Sequence, residues 1–388
     1  MPAMSVELGQ GTGPLRGVRV VELAGIGPGP HACTILADLG ADVIRVDRPG
    51  GQTFATGRYD VLTRGRPSVA LDLKNPDAVA TVLRLVETAD VLVEGLRPGV
   101  TERLGLGPDD CLASNPRLVY GRMTGWGQTG PLAGTAGHDL GYVAITGVLA
   151  GLVQDPSRPH FPTNLLGDFG GGSTYLVIGV LAALLEARLS GRGQVVDAAI
   201  VDGVAHLNAM GSSFLASGLA TERRAANLLD GGVPFYDLYE TADGGHLAIG
   251  ALEPRFYDAL VDGLGIRERA PDRDDPANHP ALRDLIGSTV RGRTLAEWTA
   301  VFEGTDACVA PVLPLSEAVQ HPHLVARAVY VDRGTGPEPA PAPRFSRTGA
   351  TLSSPPPERA GQDTREALDA WGIEDVDALL DSGAAVQA

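Results

Sequence analysis

Lysine is nearly absent from this 388-residue chain, since Lys74 is the one lysine among 31 basic residues. Basic charge as a whole is also scarce, because 47 acidic residues give a formal net charge of −16. A negative field of this size disfavours nucleic acid and anionic membrane surfaces as partners. Cysteine is scarce too: Cys33, Cys111 and Cys308 are an odd number and lie far apart. They exclude a dense disulfide framework, show no metal-ligand spacing and predict a reducing compartment such as the cytoplasm.

Targeting signals and long apolar runs are also missing. The opening stretch MPAMSVELGQGTG has neither the basic nor the apolar region of a secretory signal, so we expect a frayed leader and a cytoplasmic protein. The longest apolar run, YLVIGVLAALL from Tyr175, is too short to span a bilayer and predicts a buried helix. The eight histidines include no pair with convincing zinc spacing, so no metal site is expected.

Strands and helices alternate through the first 200 residues. β-rich runs such as VRVVEL (18–23) and ADVIRVD (41–47) are separated by helical stretches such as HACTILADLG (31–40). The alternation continues through SVALDL, DVLVEGL and RLVYGRMTG. This pattern predicts an α/β fold in which helices cover both faces of a mostly parallel sheet.

The residue pattern of the chain changes after Asn227. YDLYETADGGHLAIGAL alternates on both sides of an Asp-Gly turn, which predicts a hairpin in a smaller α+β domain. The Pro-rich stretch 334–361 predicts an extended connector, and a helical tail from about Thr364 is expected to return to the first domain. We therefore predict a large domain over 1–200, a linker helix over 201–229, a small domain over 230–315, and a connector with C-terminal return over 316–388.

The turn GPGPHA (27–32) follows a strand and precedes a helix, and so fits a loose dinucleotide-binding fingerprint. Asp47 lies where a ribose-binding acid would be expected. However, Pro28 and Pro30 remove backbone N–H groups from a loop that should cradle a pyrophosphate. We interpret the turn as a proline-initiated helix start and favour a nucleotide-like ligand near Arg48.

Arginines cluster early in the chain. Two explanations fit: a general preference for arginine codons, or a local anion site in an acidic protein, because guanidinium groups match phosphate oxygens. Composition leaves both open. The arginines that accompany Lys74 within the first 74 residues are Arg16, Arg19, Arg45, Arg48, Arg58, Arg64 and Arg66.

A histidine and an aspartate lie at two glycine-marked turns. His138, in AGHDLGY, is expected to open a helix that runs through DLGYVAITGVLAG, so its imidazole would meet oriented backbone amides. Asp168, in LLGDFGGGSTYL, precedes three glycines that would let a ligand approach the backbone and free amide donors for an oxyanion. The patterns alone fit structural roles equally well, since Asp168 could be a helix N-cap.

Longer motifs make the chain recognisable. They are LRGVRVVELAGIGPGPHACTILADLGADVIRVDRPGG, EGLRPGVTERLGLGP, RMTGWGQTGP, AGHDLGY, GDFGGGS, GRGQVVDAAIVDG, PFYDLYETADG and PAPRFSR. Together they resemble the α-methylacyl-CoA racemases, a branch of the CaiB/BaiF-type, family III CoA-transferase superfamily, over most of the chain. The resemblance implies a large Rossmann-like domain, a smaller α+β domain and an interlocked homodimer. Each site would lie between the large domain of one chain and the small domain of its mate.

The resemblance also implies catalytic residues. The family's two bases are the histidine of its G-H-D motif and the aspartate of its G-D-F-G-G-G motif, which fall on His138 and Asp168. A small-domain glutamate that pairs with this histidine falls on Glu253 in AIGALEPRFY. The implied activity is inversion of the α-carbon of 2-methylacyl-CoA thioesters through an enolate. It needs neither metal nor separate cofactor, since CoA is part of the substrate.

CoA contacts are implied along the large domain. They fall on Arg48, Leu71, Asp72, Leu73, Lys74, Gly95, Leu96, Arg97, Arg103, Gly137, Asp139, Leu140, Gly141 and Tyr142. In one respect the chain departs from the family: relatives line the acyl-tail surface with many methionines, whereas this chain has four in total. The resemblance therefore does not imply a particular acyl chain.

Three functions are compatible with these motifs. A racemase or epimerase of lipid metabolism needs two proton-transfer groups. A family III CoA transferase would use Asp168 as a nucleophile, and that branch lacks the histidine of this motif, so His138 favours the racemase. A non-catalytic CoA-binding protein would need neither side chain.

Overall fold

The computed structural model describes residues 6–51, 57–155 and 158–388, which form two compact units. Unit 1 contains the described residues of Met1–Thr146, Pro162–Leu207 and Arg327–Ala388, and unit 2 contains those of Gly147–Phe161 and Asn208–Ala326. These bounds differ from the predicted domains in detail. The predicted linker 201–229 is divided after residue 207, and both 147–161 and 316–326 group with unit 2.

The described strands and helices are numbered in chain order. The strands are β1 (Arg19–Leu23), β2 (Asp42–Asp47), β3 (Ser68–Leu71), β4 (Val91–Glu94), β5 (Val119–Thr124), β6 (Val153–Asp155), β7 (Arg158–Pro159), β8 (Gln194–Ala199), β9 (Tyr236–Glu240), β10 (His246–Gly250), β11 (Val309–Pro311), β12 (Tyr330–Asp332), β13 (Pro337–Pro339) and β14 (Ala385–Val386). The α-helices are α1 (Pro28–Asp38), α2 (Pro76–Thr88), α3 (Val100–Arg103), α4 (Pro108–Ser114), α5 (Asp139–Ile145), α6 (Val148–Gly151), α7 (Thr174–Ser190), α8 (Ile200–Leu207), α9 (Ala209–Ser217), α10 (Pro254–Leu264), α11 (His279–Val290), α12 (Leu295–Phe302), α13 (Leu315–Ala318), α14 (Pro322–Ala326), α15 (Thr364–Ala370) and α16 (Val376–Asp381). Shorter 3₁₀ turns occur at Gly57–Tyr59, Val61–Thr63 and Pro276–Asn278, and a π-helix spans Leu165–Ser173.

The sheet of unit 1 has seven strands in the order β14-β3-β2-β1-β4-β5-β8. All neighbours are parallel except β14, which runs antiparallel to β3. At its centre, Val21 pairs with Ile44 of β2 and with Leu92 of β4. These three side chains are fully buried, as expected when helices cover both faces of a parallel sheet. The predicted α/β fold class is confirmed.

The C-terminal tail completes the core of unit 1. The helix α15 begins at Thr364, as predicted, and Leu368 and Trp371 pack into the same apolar cluster as the sheet. The strand β14 then pairs with β3, with Ala385 opposite Leu71. The C-terminal helix and strand thus pack within unit 1.

Unit 2 is built around a three-stranded sheet in the order β11-β10-β9. The predicted hairpin is confirmed: Leu238 of β9 pairs with Ala248 of β10 in antiparallel register, and Gly244 in the turn has a φ of 80°. Helices α10, α11 and α12 contribute to an apolar core of their own. Within this core Trp298 is buried, and its indole N–H donates to the carbonyl oxygen of Val290 at 2.8 Å.

The long apolar helix is buried on one face only. The π-helix and α7 form a continuous helical segment, Leu165–Ser190, of 26 residues; an 18-residue stretch of it has a mean hydropathy of 1.5, and 39% of that stretch is buried. Its length and composition would suffice to cross a membrane, which is weak evidence because core helices pass the same test. Leu185 and Leu189 are 64% and 82% exposed. The prediction of a buried helix is therefore wrong for the face that carries them.

Candidate active site

A cavity of about 980 Å³ opens at the carboxyl edge of the unit 1 sheet. Residues just beyond β1, β2, β3 and β4 line it, as is typical of ligand sites in open parallel sheets. The described lining residues are Leu23, Ala24, Gly25, Ile26, Arg45, Val46, Asp47, Arg48, Gly51, Gly57, Asp60, Thr63, Ser68, Leu71, Asp72, Leu73, Lys74, Gly95, Leu96, Val100, Leu104, Pro357, Glu358, Arg359 and Ala360.

Half of the predicted CoA contacts lie in this lining. They are Arg48, Leu71, Asp72, Leu73, Lys74, Gly95 and Leu96. The others, Arg97, Arg103, Gly137, Asp139, Leu140, Gly141 and Tyr142, are not lining residues. Arg97 directly follows the cavity wall at Leu96 and interacts electrostatically with Tyr142. The two sets of predicted contacts are therefore neighbours within unit 1.

The early arginines fall into two groups. Arg45, Arg64 and Arg66 are buried and paired with carboxylates, so they are not available to a ligand anion. Their ion pairs are Arg45–Glu22, Arg45–Asp47, Arg66–Glu22, Arg64–Asp38 and Arg64–Glu338. Arg48, by contrast, is exposed, lines the cavity and has no ion pair among the described residues. The idea of a local anion site is therefore wrong for the buried three and fits Arg48.

His138 is the N-cap residue of α5. Its Nδ1 lies 2.6 Å from the carbonyl oxygen of Gly137. Because a carbonyl oxygen only accepts, Nδ1 carries the hydrogen, and Nε2 of the neutral ring keeps its lone pair for proton transfer. The helix predicted to run through DLGYVAITGVLAG is interrupted at Gly147, whose φ of 81° separates α5 from α6.

Asp168 lies inside the π-helix, so the alternative of a helix N-cap is wrong for it. Asp139, next to His138, binds this segment: its Oδ1 accepts the Asp168 amide N–H at 2.7 Å, and its carboxylate also accepts that of Gly167. A Cβ on Gly167 would overlap Asp139 Oδ1. The Asp139 carboxylate therefore joins the segments that carry the two predicted bases, although the resemblance implied a CoA contact for this residue.

The glycines after Asp168 serve helix packing. Gly171 and Gly172 are buried, and a Cβ on Gly171 would lie 2.8 Å from the backbone nitrogen of Val204 in α8. In turn, a Cβ on Gly203 would overlap the carbonyl oxygen of Gly171. The expectation that these glycines expose the backbone to a ligand is therefore wrong for Gly171 and Gly172, which instead let α8 approach the π-helix.

Burial raises the pKa of the Asp168 carboxyl above its ordinary value. A hydrogen bond from Asn164 Nδ2 to Asp168 Oδ2, 3.2 Å long, opposes the rise in pKa. The charge of Asp139 adds to it, and that of His138 opposes it. The imidazole is thus within electrostatic range of the carboxyl. A raised pKa makes Asp168 a stronger base, which suits proton exchange near neutral pH.

The turn between β1 and α1 joins the cavity to Asp168. Ile26 lines the cavity, and a Cβ on the next residue, Gly27, would lie 3.3 Å from Asp168 Oδ2. Gly27 has a φ of 72° and precedes Pro28 at the first position of α1, so the predicted proline-initiated helix start is confirmed. One turn therefore lies beside both the cavity and a predicted base.

Sequence reasoning missed Gly27, Asn164 and Arg359 as site residues. The spacing of Asn164, four residues before Asp168, could have indicated a helical neighbour. Gly27 lay in a motif that was interpreted as a helix start alone. Arg359 and its neighbours line the cavity from the Pro-rich connector, and no local pattern marks them.

Glu253 lies in unit 2, where it is the N-cap residue of α10. Arg273 supports the turn before it, since its guanidinium donates to the carbonyl oxygens of Ala251 at 3.2 Å and Leu252 at 2.6 Å. The same guanidinium stacks over the ring of Tyr257 at 4.7 Å. The turn is thus held firmly within unit 2, and the pairing of Glu253 with a histidine stays a prediction.

The model of the family described as CoA-transferase family III matches residues 15–364 of the chain. The chain belongs to CoA-transferase family III. The matched span contains the cavity residues that follow β1 to β4 and both predicted bases, His138 and Asp168.

Relatives of this family III member include racemases and transferases. It is 44% identical over 367 residues to "Alpha-methylacyl-CoA racemase" of Mus musculus, which covers 94% of this chain and 95% of the relative. The protein of the same name from Homo sapiens is 41% identical, covering 92% and 94%. "Succinyl-CoA--D-citramalate CoA-transferase" of Chloroflexus aurantiacus is 33% identical, covering 95% and 96%.

Solved structures carry the same fold as this family III member. A CAIB/BAIF family protein from Brucella suis superposes with a TM-score of 0.79 at 28% identity, covering 93% of this chain and 100% of that one. Rv3272 from Mycobacterium tuberculosis in its orthorhombic form superposes with a TM-score of 0.75 at 28% identity, covering 92% and 99%. The predicted family and fold are therefore confirmed.

Proposed function

We propose that this chain is a racemase or epimerase that inverts the α-carbon of 2-methylacyl-CoA thioesters. The observation that carries the proposal is the tie between α5 and the π-helix: Asp139, adjacent to His138, binds the backbone of Asp168 at 2.7 Å. The segments that carry the His138 imidazole and the Asp168 carboxyl are thereby joined in the unit that contains the cavity of about 980 Å³. The full-length identity to two alpha-methylacyl-CoA racemases supports the same assignment.

Inversion needs proton transfer on both faces of one carbon. A single base cannot easily reach both faces of a held substrate, so two groups must flank the carbon. We assign these roles to Nε2 of His138 and to the carboxyl of Asp168. Each removes a proton in one direction and returns one in the other. A positioned group of this kind contributes about 10²–10⁴-fold in rate.

The enolate oxygen needs hydrogen-bond donors. The amides of Gly167 and Asp168 are already engaged by the Asp139 carboxylate, so this part of the glycine motif does not provide them. We assign the oxyanion role to backbone amides near Asp139. We keep as part of the proposal the pairing of Glu253 with His138 that the resemblance implies.

CoA enters the proposal as part of the substrate. The seven predicted contacts that line the cavity would bind its nucleotide, while the thioester lies beside His138 and Asp168. Because the chemistry moves a proton next to a thioester carbonyl, we propose that the reaction uses no separate cofactor. The physiological acyl chain is left open.

The alternative is a CoA transferase in which the Asp168 carboxylate attacks the thioester carbonyl. A transferase among the relatives, at 33% identity, favours keeping this candidate. Such a reaction expels the CoA thiolate and forms an acyl-aspartyl anhydride; the thiolate then attacks the aspartyl carbonyl, which breaks the anhydride bond, releases the donor carboxylate and leaves an aspartyl-CoA thioester. Borohydride or hydroxylamine would trap that adduct, and an adduct on Asp168 would count against the racemase.

The decisive experiment is deuterium exchange in D₂O with separate (2R)- and (2S)-methylacyl-CoA thioesters. The wild-type chain should incorporate α-deuterium and convert each enantiomer into the other. His138→Ala and Asp168→Ala should both lose inversion, because each lacks one base. Failure of the active wild-type protein to exchange any α-proton would end the racemase assignment.

We further propose that the chain works as an interlocked homodimer in the cytoplasm. Exposed apolar side chains on α7, such as Leu185 and Leu189, support a partner surface in unit 1. Cys33, Cys111 and Cys308 are unpaired, which suits a reducing compartment. Sedimentation would test the dimer, since a monomer at micromolar concentration would contradict it, and fractionation would test the location.

A further inference from the structure

Three basic side chains at the cavity have no partner among the described residues. Arg48 follows β2, Lys74 follows β3, and Arg359 lies in the C-terminal connector, and all three are exposed lining residues. The ion pairs of residues 6–51, 57–155 and 158–388 include none of them. In a chain with a net charge of −16, basic side chains that line a large cavity without an ion pair indicate an anionic ligand.

The segment that carries Arg359 is fixed to β3. The amide N–H of Gly361 donates to Ser68 Oγ at 2.9 Å, and the amide N–H of Ser68 donates to Asp363 Oδ2 at 2.9 Å. A Cβ on Gly361 would lie 2.7 Å from the Cβ of Ala70, so the connector approaches the strand as closely as glycine permits. The position of Arg359 beside the cavity is therefore built by the fold.

Acids share the cavity wall, so the ligand is not expected to be a bare anion. They are Asp47, Asp60, Asp72 and Glu358. Asp47 is already engaged, because Arg45 Nε donates to its Oδ1 at 3.1 Å. The others can accept from hydroxyl or amino groups. The phosphate oxygens of a nucleotide would bind the basic side chains, and the hydroxyl and amino groups of its ribose and base would donate to the acidic ones. A nucleotide therefore matches both kinds of charge on the cavity wall.

We propose that Arg359 is a third phosphate ligand of the CoA nucleotide, acting with Arg48 and Lys74. The inference rests on the proposed function, because it takes a CoA thioester as the ligand. It gives a binding role to a connector that the sequence predicts only as a spacer. Since Arg359 would contact the nucleotide and not the α-carbon, its loss should weaken binding and leave proton transfer intact.

The test compares Arg359→Gln with Arg365→Gln in the full-length chain. Arg365, on α15, pairs with Asp377 on the surface and does not line the cavity, so its substitution removes the same charge nearby. For racemisation of a 2-methylacyl-CoA, Arg359→Gln should raise KM about 10-fold with kcat unchanged, as loss of a charged hydrogen bond predicts. Arg365→Gln should change neither constant.

The corresponding thioester of dephospho-CoA identifies the phosphate. If Arg359 binds the ribose 3′-phosphate, wild type and Arg359→Gln will have the same KM for this substrate. If it binds the diphosphate, the variant will raise KM for both thioesters. An unchanged KM for the CoA thioester, or a loss confined to kcat, would overturn the proposal.

Calorimetric titration with free CoA separates this inference from the proposed function. A wild-type chain that binds CoA but does not racemise would refute the racemase assignment alone, and weaker binding by Arg359→Gln would still support a ligand role. Arg359→Lys, which keeps the charge, should restore most of the affinity. Loss of affinity in Arg359→Gln together with an equal loss in Arg365→Gln would contradict a specific contact.

Discussion

The cavity and the pair of predicted bases are built differently, although both lie in unit 1. Around the cavity, Arg48 and Lys74 are exposed just beyond strands of the parallel sheet. Asp168, by contrast, sits within a π-helix that packs so closely on α8 that Gly171 and Gly203 leave no room for a Cβ. π-Helices are rare and are found frequently at functional sites.

We therefore expect the cavity side chains to govern the affinity for the ligand and the two predicted bases to govern proton transfer. Loop side chains at the cavity touch little protein, so their substitution should change ligand binding and spare the fold. The π-helix and its neighbours are shaped by close packing and buried hydrogen bonds, so changes there should alter stability or the pKa of Asp168. Substitutions in the two regions test this separation.

The largest effect is expected from Asp168→Asn. An amide cannot take up the α-proton, so racemisation should fall by about 10²–10⁴-fold.

The same substitution should also affect stability. Because the folded pKa of Asp168 is raised, the native state binds its proton more tightly than the unfolded state and loses stability as pH rises through that pKa. The variant should therefore unfold at a temperature no lower than wild type at pH 7. A kinetic assay and thermal melts check both statements, and a variant that racemises at the wild-type rate would refute the role of Asp168.

Two arginines from the same early cluster should behave in opposite ways. Arg66 is fully buried, pairs with Glu22 and donates to the carbonyl oxygen of Pro30 at 2.7 Å. Arg66→Gln should lower the free energy of unfolding by about 3–5 kcal/mol, because it breaks a buried ion pair and leaves Glu22 with Arg45 as its remaining cation.

Arg48→Gln should leave that free energy unchanged within error and raise KM for the CoA thioester about 10-fold, as expected for a lost charged hydrogen bond. Urea denaturation and steady-state kinetics on both variants give the comparison. If both variants lost the same stability, the distinction between the buried, ion-paired Arg66 and the exposed Arg48 at the cavity would be contradicted.

A methyl group at Gly171 tests the packing of the π-helix. The Cβ of Gly171→Ala would lie 2.8 Å from a backbone nitrogen in α8, which must move, so we expect a loss of about 1–3 kcal/mol in unfolding free energy. Gly287→Ala in α11 is the matched control, since the nearest atom outside its own helix backbone would be Tyr239 Cδ1 at an ordinary contact distance of 3.6 Å. The control should be neutral or more stable by up to about 1 kcal/mol in denaturation experiments. A neutral Gly171→Ala would show that the close approach is not required.

The smallest effect is expected from Asp139→Asn. The amide oxygen can still accept the Asp168 amide N–H, but the negative charge that raises the pKa of Asp168 is gone. The pKa of Asp168 should fall, and the acidic limb of the pH–rate profile should move to lower pH. Exchange in D₂O should show this shift for the one enantiomer whose proton Asp168 removes. Equal shifts for both enantiomers would argue against a separate base on each face.

Local sequence patterns predict much of the architecture. The alternation of apolar runs and helical stretches predicts the parallel sheet, because strands buried on both faces must be continuously apolar. Pro28 after Gly27 predicts the start of α1, and the Asp-Gly turn predicts the hairpin of unit 2, because φ is restricted in proline and free in glycine. Motif resemblance marked His138, Asp168 and seven of the residues that line the cavity.

Long-range contacts settled the rest. Nothing local distinguishes Arg66, which is buried against Glu22, from Arg48, which faces the cavity, since burial depends on what the remainder of the chain packs against each side chain. The same holds for Gly171, whose role is set by α8, and for Arg359, which reaches the cavity because the C-terminal connector docks on β3. Residue types restrict the chemistry that is available, whereas charge pairing and close packing between distant segments decide which residues remain free to perform it.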